Sequence, residues 1–171
     1  MRNESPSVHG VLVSVFGKGV LLTGESGIGK SDLALQLLAR KHALIADDIV
    51  LIRQGTEGLT GFAPAALKNL LEVRALGIID VRAVFGMDAV LATQSLDLII
   101  HLQKTASKEL LQKRRINFEL GAQIILETSL PRLVLELALC QNAAILIETA
   151  VRLTFSAHVI PDELSHQKLC V

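Results

Sequence analysis

The sequence predicts a mixed α/β fold built around a phosphate-binding loop. Three observations carry this. A glycine-rich segment, Gly24-Glu25-Ser26-Gly27-Ile28-Gly29-Lys30-Ser31, sits between an apolar run and a helical pattern. Short apolar runs alternate with helical stretches along the chain, and the first two runs are close enough to form a hairpin, so the sheet need not be all parallel. The 171 residues suit one domain, and a composition that is 50% hydrophobic and 20% charged excludes wholesale disorder. Lys+Arg and Asp+Glu balance at 17 each, which argues against a general nucleic-acid binder, because that role needs a basic surface. Trp and Tyr are absent, so bases would find few stacking platforms. No run reaches the roughly 18 apolar residues of a membrane-spanning helix. The polar residues 1–6 lead into no signal-like apolar run, and the expected location is the cytoplasm. Cys140 and Cys170 form no disulfide framework and no metal-ligand spacing.

Taken in order, Val11, Val13 and Val15 alternate as a strand does. Gly17-Lys18-Gly19 reads as a turn into a second, fully apolar strand at 20–23. Residues 31–41 form a helical pattern, with Leu33, Leu37 and Leu38 on one face and no Gly or Pro inside. A short strand at 44–46 ends in Asp47-Asp48, and 49–52 continues the apolar run. Residues 54–60 are turn-like, and 64–71 read as a short helix with Pro64 tolerated in its first turn. Strands are expected at 78–81 and 96–102, and 107–115 as a basic helix or loop. Residues 122–126 are apolar, and Leu133, Leu135, Leu137 and Leu139 alternate as a strand. Asn142 can cap a closing helix to about 157, helped by Glu148 and Arg152 as an i,i+4 pair.

Residues 24–31 fit the P-loop pattern G-x-x-x-x-G-K-[ST]. The glycines permit backbone angles that turn successive N–H groups toward one anion, and the helix that follows adds its positive dipole end. Lys30 supplies a point charge for the β/γ-phosphates, and the Ser31 hydroxyl is placed to ligate Mg²⁺. The bland alternative is a glycine-rich turn capping a helix, but strand before and helix after favour phosphate binding. Asp47 and Asp48 close the next strand, where open α/β sheets gather ligands. Two adjacent carboxylates can divide the work between metal support and proton acceptance. His9 alone reads as an ordinary turn histidine. Glu72 and Arg74, two apart, share a face of an extended segment and would otherwise read as a structural ion pair.

From these residues the sequence resembles the HPr kinase/phosphorylases of bacteria. Ser7-Val8-His9-Gly10-Val11 resembles the family's S-x-H-G-V opening, residues 24–31 its P-loop and Ala46-Asp47-Asp48 its A-D-D strand end. Leu71-Glu72-Val73-Arg74-Ala75-Leu76-Gly77-Ile78-Ile79-Asp80-Val81 resembles its signature E-[IV]-R-G-L-G-I-I-D-V, and Val84-Phe85-Gly86 follows as in the family. The likeness is close over about 7–102 and weak beyond, where only 142–148 still follows the pattern. It implies a nucleotide-binding core like that of phosphoenolpyruvate carboxykinase, with residues 1–6 as a lead-in and 7–171 as a single catalytic domain whose 103–171 diverges. It implies an ATP- and Mg²⁺-dependent serine kinase acting on the phosphocarrier HPr or an HPr-like carrier. Carried over, Gly24, Glu25, Ser26, Gly27, Ile28, Gly29, Lys30, Ser31 and Arg74 bind nucleotide. Ser31 and Glu72 hold Mg²⁺. Asp48 takes the serine proton with Asp47 beside it and His9 close to the pair. An arginine after the 96–102 strand, taken as Arg114 with Lys113 and Arg115 adjacent, assists catalysis. Family hexamers leave a homo-oligomer open.

The chain departs from the family at several points. Asp32 and Glu25 exchange one carboxylate for another. Ala75 replaces a signature glycine, which would strain the loop by about 1–2 kcal/mol if that position needs a left-handed backbone. The family's basic V-x-x-G-R-N segment reads Ala138-Leu139-Cys140-Gln141-Asn142, without its basic residue. Phosphate is an anion, so phosphorolysis is the doubtful activity. Six residues precede the opening motif where the family has a regulatory domain, which reads as a short form or an isolated piece of the enzyme. The competing function is an ATP-sensing regulatory binding module with little catalysis.

Overall fold

The structure is a computed structural model that describes residues 5–104, 120–137 and 142–156. Its order is β1 (Ser7–His9), β2 (Val11–Val15), β3 (Lys18–Thr23), α1 (Lys30–Ala39), β4 (Ala43–Ala46), β5 (Ile49–Gly55), β6 (Gly58–Phe62), β7 (Leu70–Val73), β8 (Gly77–Asp80), α2 (Val81–Phe85), β9 (Thr93–Ser95), β10 (Leu98–Gln103), β11 (Gly121–Ile125), β12 (Thr128–Glu136) and α3 (Ala143–Phe155). The expected mixed α/β class is what the chain adopts.

Among the described residues, one sheet runs β11-β12-β10-β3-β2-β4 and a second β1-β5-β6-β9. β3 is parallel to β10, and β10 to β12, while β2 is antiparallel to both β3 and β4. Leu12, Leu21 and Ile99 share a register row and point to one face. There they pack with Val50, Ile52, Leu59 and Leu96 of the second sheet and its approach. The alternate residues, Val11, Val13, Val20, Leu22, Ile100 and Leu102, point the other way. They meet Leu33, Ala34, Leu37 and Leu38 of α1 and Ala144, Ile147, Ala150 and Val151 of α3. Both faces of the central strands are therefore buried, which is why they read as continuous apolar runs.

Local chemistry moved several expected boundaries. The first turn is the pair Phe16-Gly17, both with positive φ (51° and 78°), because Val15 pairs with Lys18. That two-residue loop matches strand twist better than the expected three-residue turn centred on Lys18. Residues 64–71 are not a helix. Only Ala65–Leu67 makes a 3-10 turn, Asn69 takes φ 64°, and Leu70–Val73 is a strand in a hairpin with β8. α1 stops at Ala39, with Lys41 at φ 70°. Of the strand expected from alternating leucines at 133–139, the described part begins earlier, at Thr128, and pairs with β11 across the turn Leu126-Glu127, while Leu139 lies outside the described residues. The expectation for 107–115 lies outside the described residues.

The C-terminal helix docks differently from its expected local pair. Asn142 caps α3, its side chain accepting from the Ile145 N–H at 3.2 Å. Glu148, however, does not pair with Arg152. It accepts from Arg40 Nε at 2.8 Å and from Arg40 Nη2, and lies 2.8 Å from His42 Nε2. Arg152 instead sits over the Phe16 ring, 4.2 Å from its centroid, and Lys18 over Phe155 at 4.9 Å. Tertiary partners at the end of α1 and the tip of the β2–β3 turn outcompete a neighbour one helical turn away. Among the described residues, no helix is long and apolar enough to cross a membrane.

Hydrogen bonding from Arg40 holds the Glu148 carboxyl down to about 2 from an ordinary 4.5, against the opposing effect of burial and with help from His42. A carboxylate depressed in the folded state contributes stability that is complete above its unfolded value and lost as pH falls toward its folded one. Glu148→Gln should therefore lower the urea midpoint by a constant amount above about pH 5. The gap from the parent chain should shrink steadily as pH falls from 4.5 toward 2. A gap independent of pH over that interval would show that the clamp is not ionic.

Candidate active site

β3 delivers the chain into the loop of residues 24–31, and α1 begins at Lys30. Gly29 is the helix N-cap at φ 106° and ψ 22°, a conformation suited to glycine, and no side chain caps the helix. Its first-turn N–H groups thus have no capping side chain, as an anion site at a helix start requires. Gly24 has φ 139°, and a Cβ there would lie 2.5 Å from the Leu102 carbonyl oxygen. The loop starts hard against the backbone at the end of β10. Lys30 is buried, and its Nζ donates to the Gly24 and Glu25 carbonyls at 3.0 Å each.

Asp47 and Asp48 occupy the corner where the chain leaves β4 for β5 and crosses from one sheet to the other. Their environments differ. Asp47 is buried, its Oδ1 accepting from Ser31 Oγ at 2.9 Å and its Oδ2 from the Glu72 backbone N–H at 2.9 Å. Asp48 is exposed, and its Oδ1 lies 3.0 Å from His9 Nδ1. The Ile49 N–H donates back to the Asp47 carbonyl around Asp48, whose φ is 65°. This is a γ-turn of the rare positive-φ kind. β1 brings His9 to the spot by pairing with Ile49 in β5.

The β7–β8 hairpin supplies the opposite wall. Glu72 stands exposed on β7, and Arg74 reaches the loop, its Nη2 lying 3.0 Å from where a Cβ of Gly27 would be. Among the described residues, Glu72 and Arg74 form no ion pair with each other. Ala75 does not adopt a left-handed backbone, so the strain expected there is absent. The positive φ of this turn belongs to Gly77 at 82°.

One cleft of about 320 Å³ is lined by His9, Ser26, Gly27, Gly29, Lys30, Ser31, Asp47, Asp48, Glu72 and Arg74. The structure thus brings together most of the residues singled out in the sequence. Three are placed otherwise. Gly24 opens the loop beside the Leu102 backbone, Glu25 contributes its carbonyl to Lys30, and Ile28 is buried in the core. Arg114, with Lys113 and Arg115, lies outside the described residues. Asp32, Val73 and Gly77 also line the cleft and were not expected there. Asp32 was legible in retrospect, as an acidic residue in the first turn after the motif.

The set is suited to holding a polyphosphate with one divalent cation. Mg²⁺ takes few protein ligands and completes its shell with water and phosphate oxygens. A hydroxyl and one carboxylate, Ser31 and Glu72, backed by Asp47, fit that demand. Among the described residues, no group of three or more His, Cys, Asp or Glu is arranged to hold a metal alone.

The chain is similar to known proteins over most of its length. The family model for the HPr serine kinase C-terminal domain matches residues 3–165. The chain is 44% identical over 154 residues to the HPr kinase/phosphorylase of Nitrosomonas europaea, covering 88% of this chain and 48% of that protein. It is 44% identical over 148 residues to the HPr kinase/phosphorylase of Latilactobacillus sakei, covering 86% and 47%. The chain therefore spans about half the length of the curated relatives it matches. Among solved structures, the Hpr(Ser) kinase/phosphatase of Coxiella burnetii superposes with a TM-score of 0.78 at 35% identity, covering 86% of this chain and 88% of that one.

The contact beneath the loop has a measurable consequence. Gly24→Ala should cost about 1–3 kcal/mol, read as a lowered urea midpoint, since the new methyl group meets a backbone oxygen. Gly58→Ala, at φ 116° with open space around it, provides the comparison for left-handed strain alone and should cost less. Equal losses would mean that the Leu102 backbone yields freely.

Proposed function

The chain belongs to the HPr serine kinase C-terminal domain family, and on that premise we propose that it transfers the γ-phosphoryl group of ATP to a serine of HPr or an HPr-like carrier. Residues 7–171 act as one catalytic domain in this reading. The observation that carries it is the split of the two aspartates within a single cleft. Asp47 ties the P-loop serine to the Glu72 backbone, while Asp48 faces His9 at the open rim.

The roles follow from position. The amides of residues 27–31 and the Lys30 ammonium hold the β- and γ-phosphates, and Arg74 closes over the loop from the hairpin side. Ser31 and Glu72 would hold Mg²⁺, with Asp47 orienting the Ser31 hydroxyl. Bound there, the cation would neutralise charge on the phosphates as the bond to the leaving oxygen lengthens. The acceptor serine approaches from the exposed side. Its proton passes to Asp48 as its oxygen bonds to phosphorus, and the bond to the β-phosphate oxygen breaks. His9 fixes the direction of the Asp48 carboxylate. An arginine from 113–115, Arg114 in this reading, assists from the segment after β10. Phosphorolysis is expected to be weak, because the family's basic residue before Asn142 is missing.

The test is transfer of label from ATP, with Mg²⁺, to a purified HPr-type carrier. Label should appear on serine. Lys30→Ala should lower kcat/KM by about 10²-fold or more through loss of transition-state charge stabilisation. Asp48→Asn should lower kcat by about 10²- to 10⁴-fold with little change in KM for ATP. Excess phosphate should release little label. An unlabelled carrier in the presence of bound ATP would replace the kinase by the ATP-sensing regulatory module.

A further inference from the structure

Thr23 is the last residue of β3 and directly precedes the P-loop; His101 is its partner in the parallel ladder with β10. This is the last rung of that ladder. At this rung the two side chains also meet, Thr23 Oγ1 lying 3.0 Å from His101 Nδ1. One residue further, Gly24 passes so close to the Leu102 carbonyl that a Cβ there would lie 2.5 Å from its oxygen, and the Gly24 carbonyl accepts from Lys30 Nζ. Position is thus handed from β10 to Thr23, from Thr23 to Gly24, and from Gly24 to the lysine.

Chemistry favours a lasting contact at this point. Burial first, and then the charge of Arg132 on β12, push the His101 imidazole down from its ordinary value. The neutral ring offers one accepting and one donating nitrogen, and a threonine hydroxyl satisfies either.

We infer that Thr23 and His101 form a clasp that positions the P-loop, which makes His101 a positioning residue for nucleotide binding. The inference rests on the phosphotransfer reading of the cleft and extends it to two residues outside the cleft's lining. The clasp sets where the Gly24 carbonyl, and through it the Lys30 ammonium, stands before nucleotide arrives. Without it the loop samples other positions, and nucleotide must select the competent one, which weakens apparent affinity.

The experiment measures Kd for ATP with Mg²⁺ by calorimetry, alongside kcat and the thermal midpoint, in Thr23→Val, His101→Leu and their double variant. Each single variant should raise Kd about five- to tenfold, the scale of one lost hydrogen bond. The double variant should be no worse than the poorer single, since both remove the same contact. Thr23→Ser and His101→Asn, which keep a polar atom at each end, should restore affinity. A structural role alone would lower the thermal midpoint and leave Kd in place. Wild-type affinity in both singles, or losses that simply multiply in the double, would overturn the clasp alone. A parent chain that binds no ATP would overturn the phosphotransfer reading and the clasp with it.

Discussion

Asp47 is the joint from which the cleft hangs. It sits at the corner between two sheets, and both carboxylate oxygens are engaged, one by the Ser31 hydroxyl and one by the Glu72 backbone N–H. Three parts of the chain are thereby held at fixed separations: the start of α1, the β4–β5 corner and the β7–β8 hairpin. A buried carboxylate is tolerated only where donors replace the water it has lost, and those donors lose as much if the carboxylate goes. The arrangement is therefore mutually enforcing, and the distance from loop to hairpin wall is set by two hydrogen bonds sharing one planar group.

Behind that joint lies a framework with little freedom to shift. β2, β3 and β10 contribute alternate side chains to two separate cores, one under the helices and one between the sheets. Sliding β3 by one residue would exchange those two sets. The P-loop thus rises from a strand whose register is specified twice. The hairpin wall is the opposite case, with Leu76 and Ile78 turned outward and only Leu71, Val73 and Ile79 reaching the core. The floor of the cleft is thus tied into both cores, whereas its hairpin wall reaches only the one under the helices.

Much of this was legible in the residues. The P-loop is a local device whose glycines, lysine and serine are near neighbours in sequence, so its pattern is readable without tertiary context. The strand ending in two aspartates was legible for a similar reason. Their unequal environments were not, because Asp47 is buried by contacts from α1 and β7 that lie far away in sequence. The stretch 64–71 looked helical by composition, yet Leu71 packs in the core as part of a strand pair that only β8 completes. Glu148 and Arg152 were correctly placed on a helix and wrongly paired, since the end of α1 and the ring of Phe16 offered each a better partner. Patterns that close within a few residues were readable; those completed by a distant element were not.

The turn at Asp48 restricts what could ever stand there. A left-handed backbone at φ 65° is comfortable for glycine and tolerable for asparagine and aspartate, and it disfavours branched or bulky side chains. The proposed phosphotransfer would narrow the choice again, to the one of those three that carries a carboxylate. Glutamate, the usual conservative exchange, would keep the charge on a less favourable backbone, a cost this chain already bears at Glu127, whose φ is 64°. A descendant of this chain that abandoned the chemistry would still be steered by the turn, and would drift first to asparagine or glycine. The backbone would go on recording the old position of the carboxylate after its use had ended.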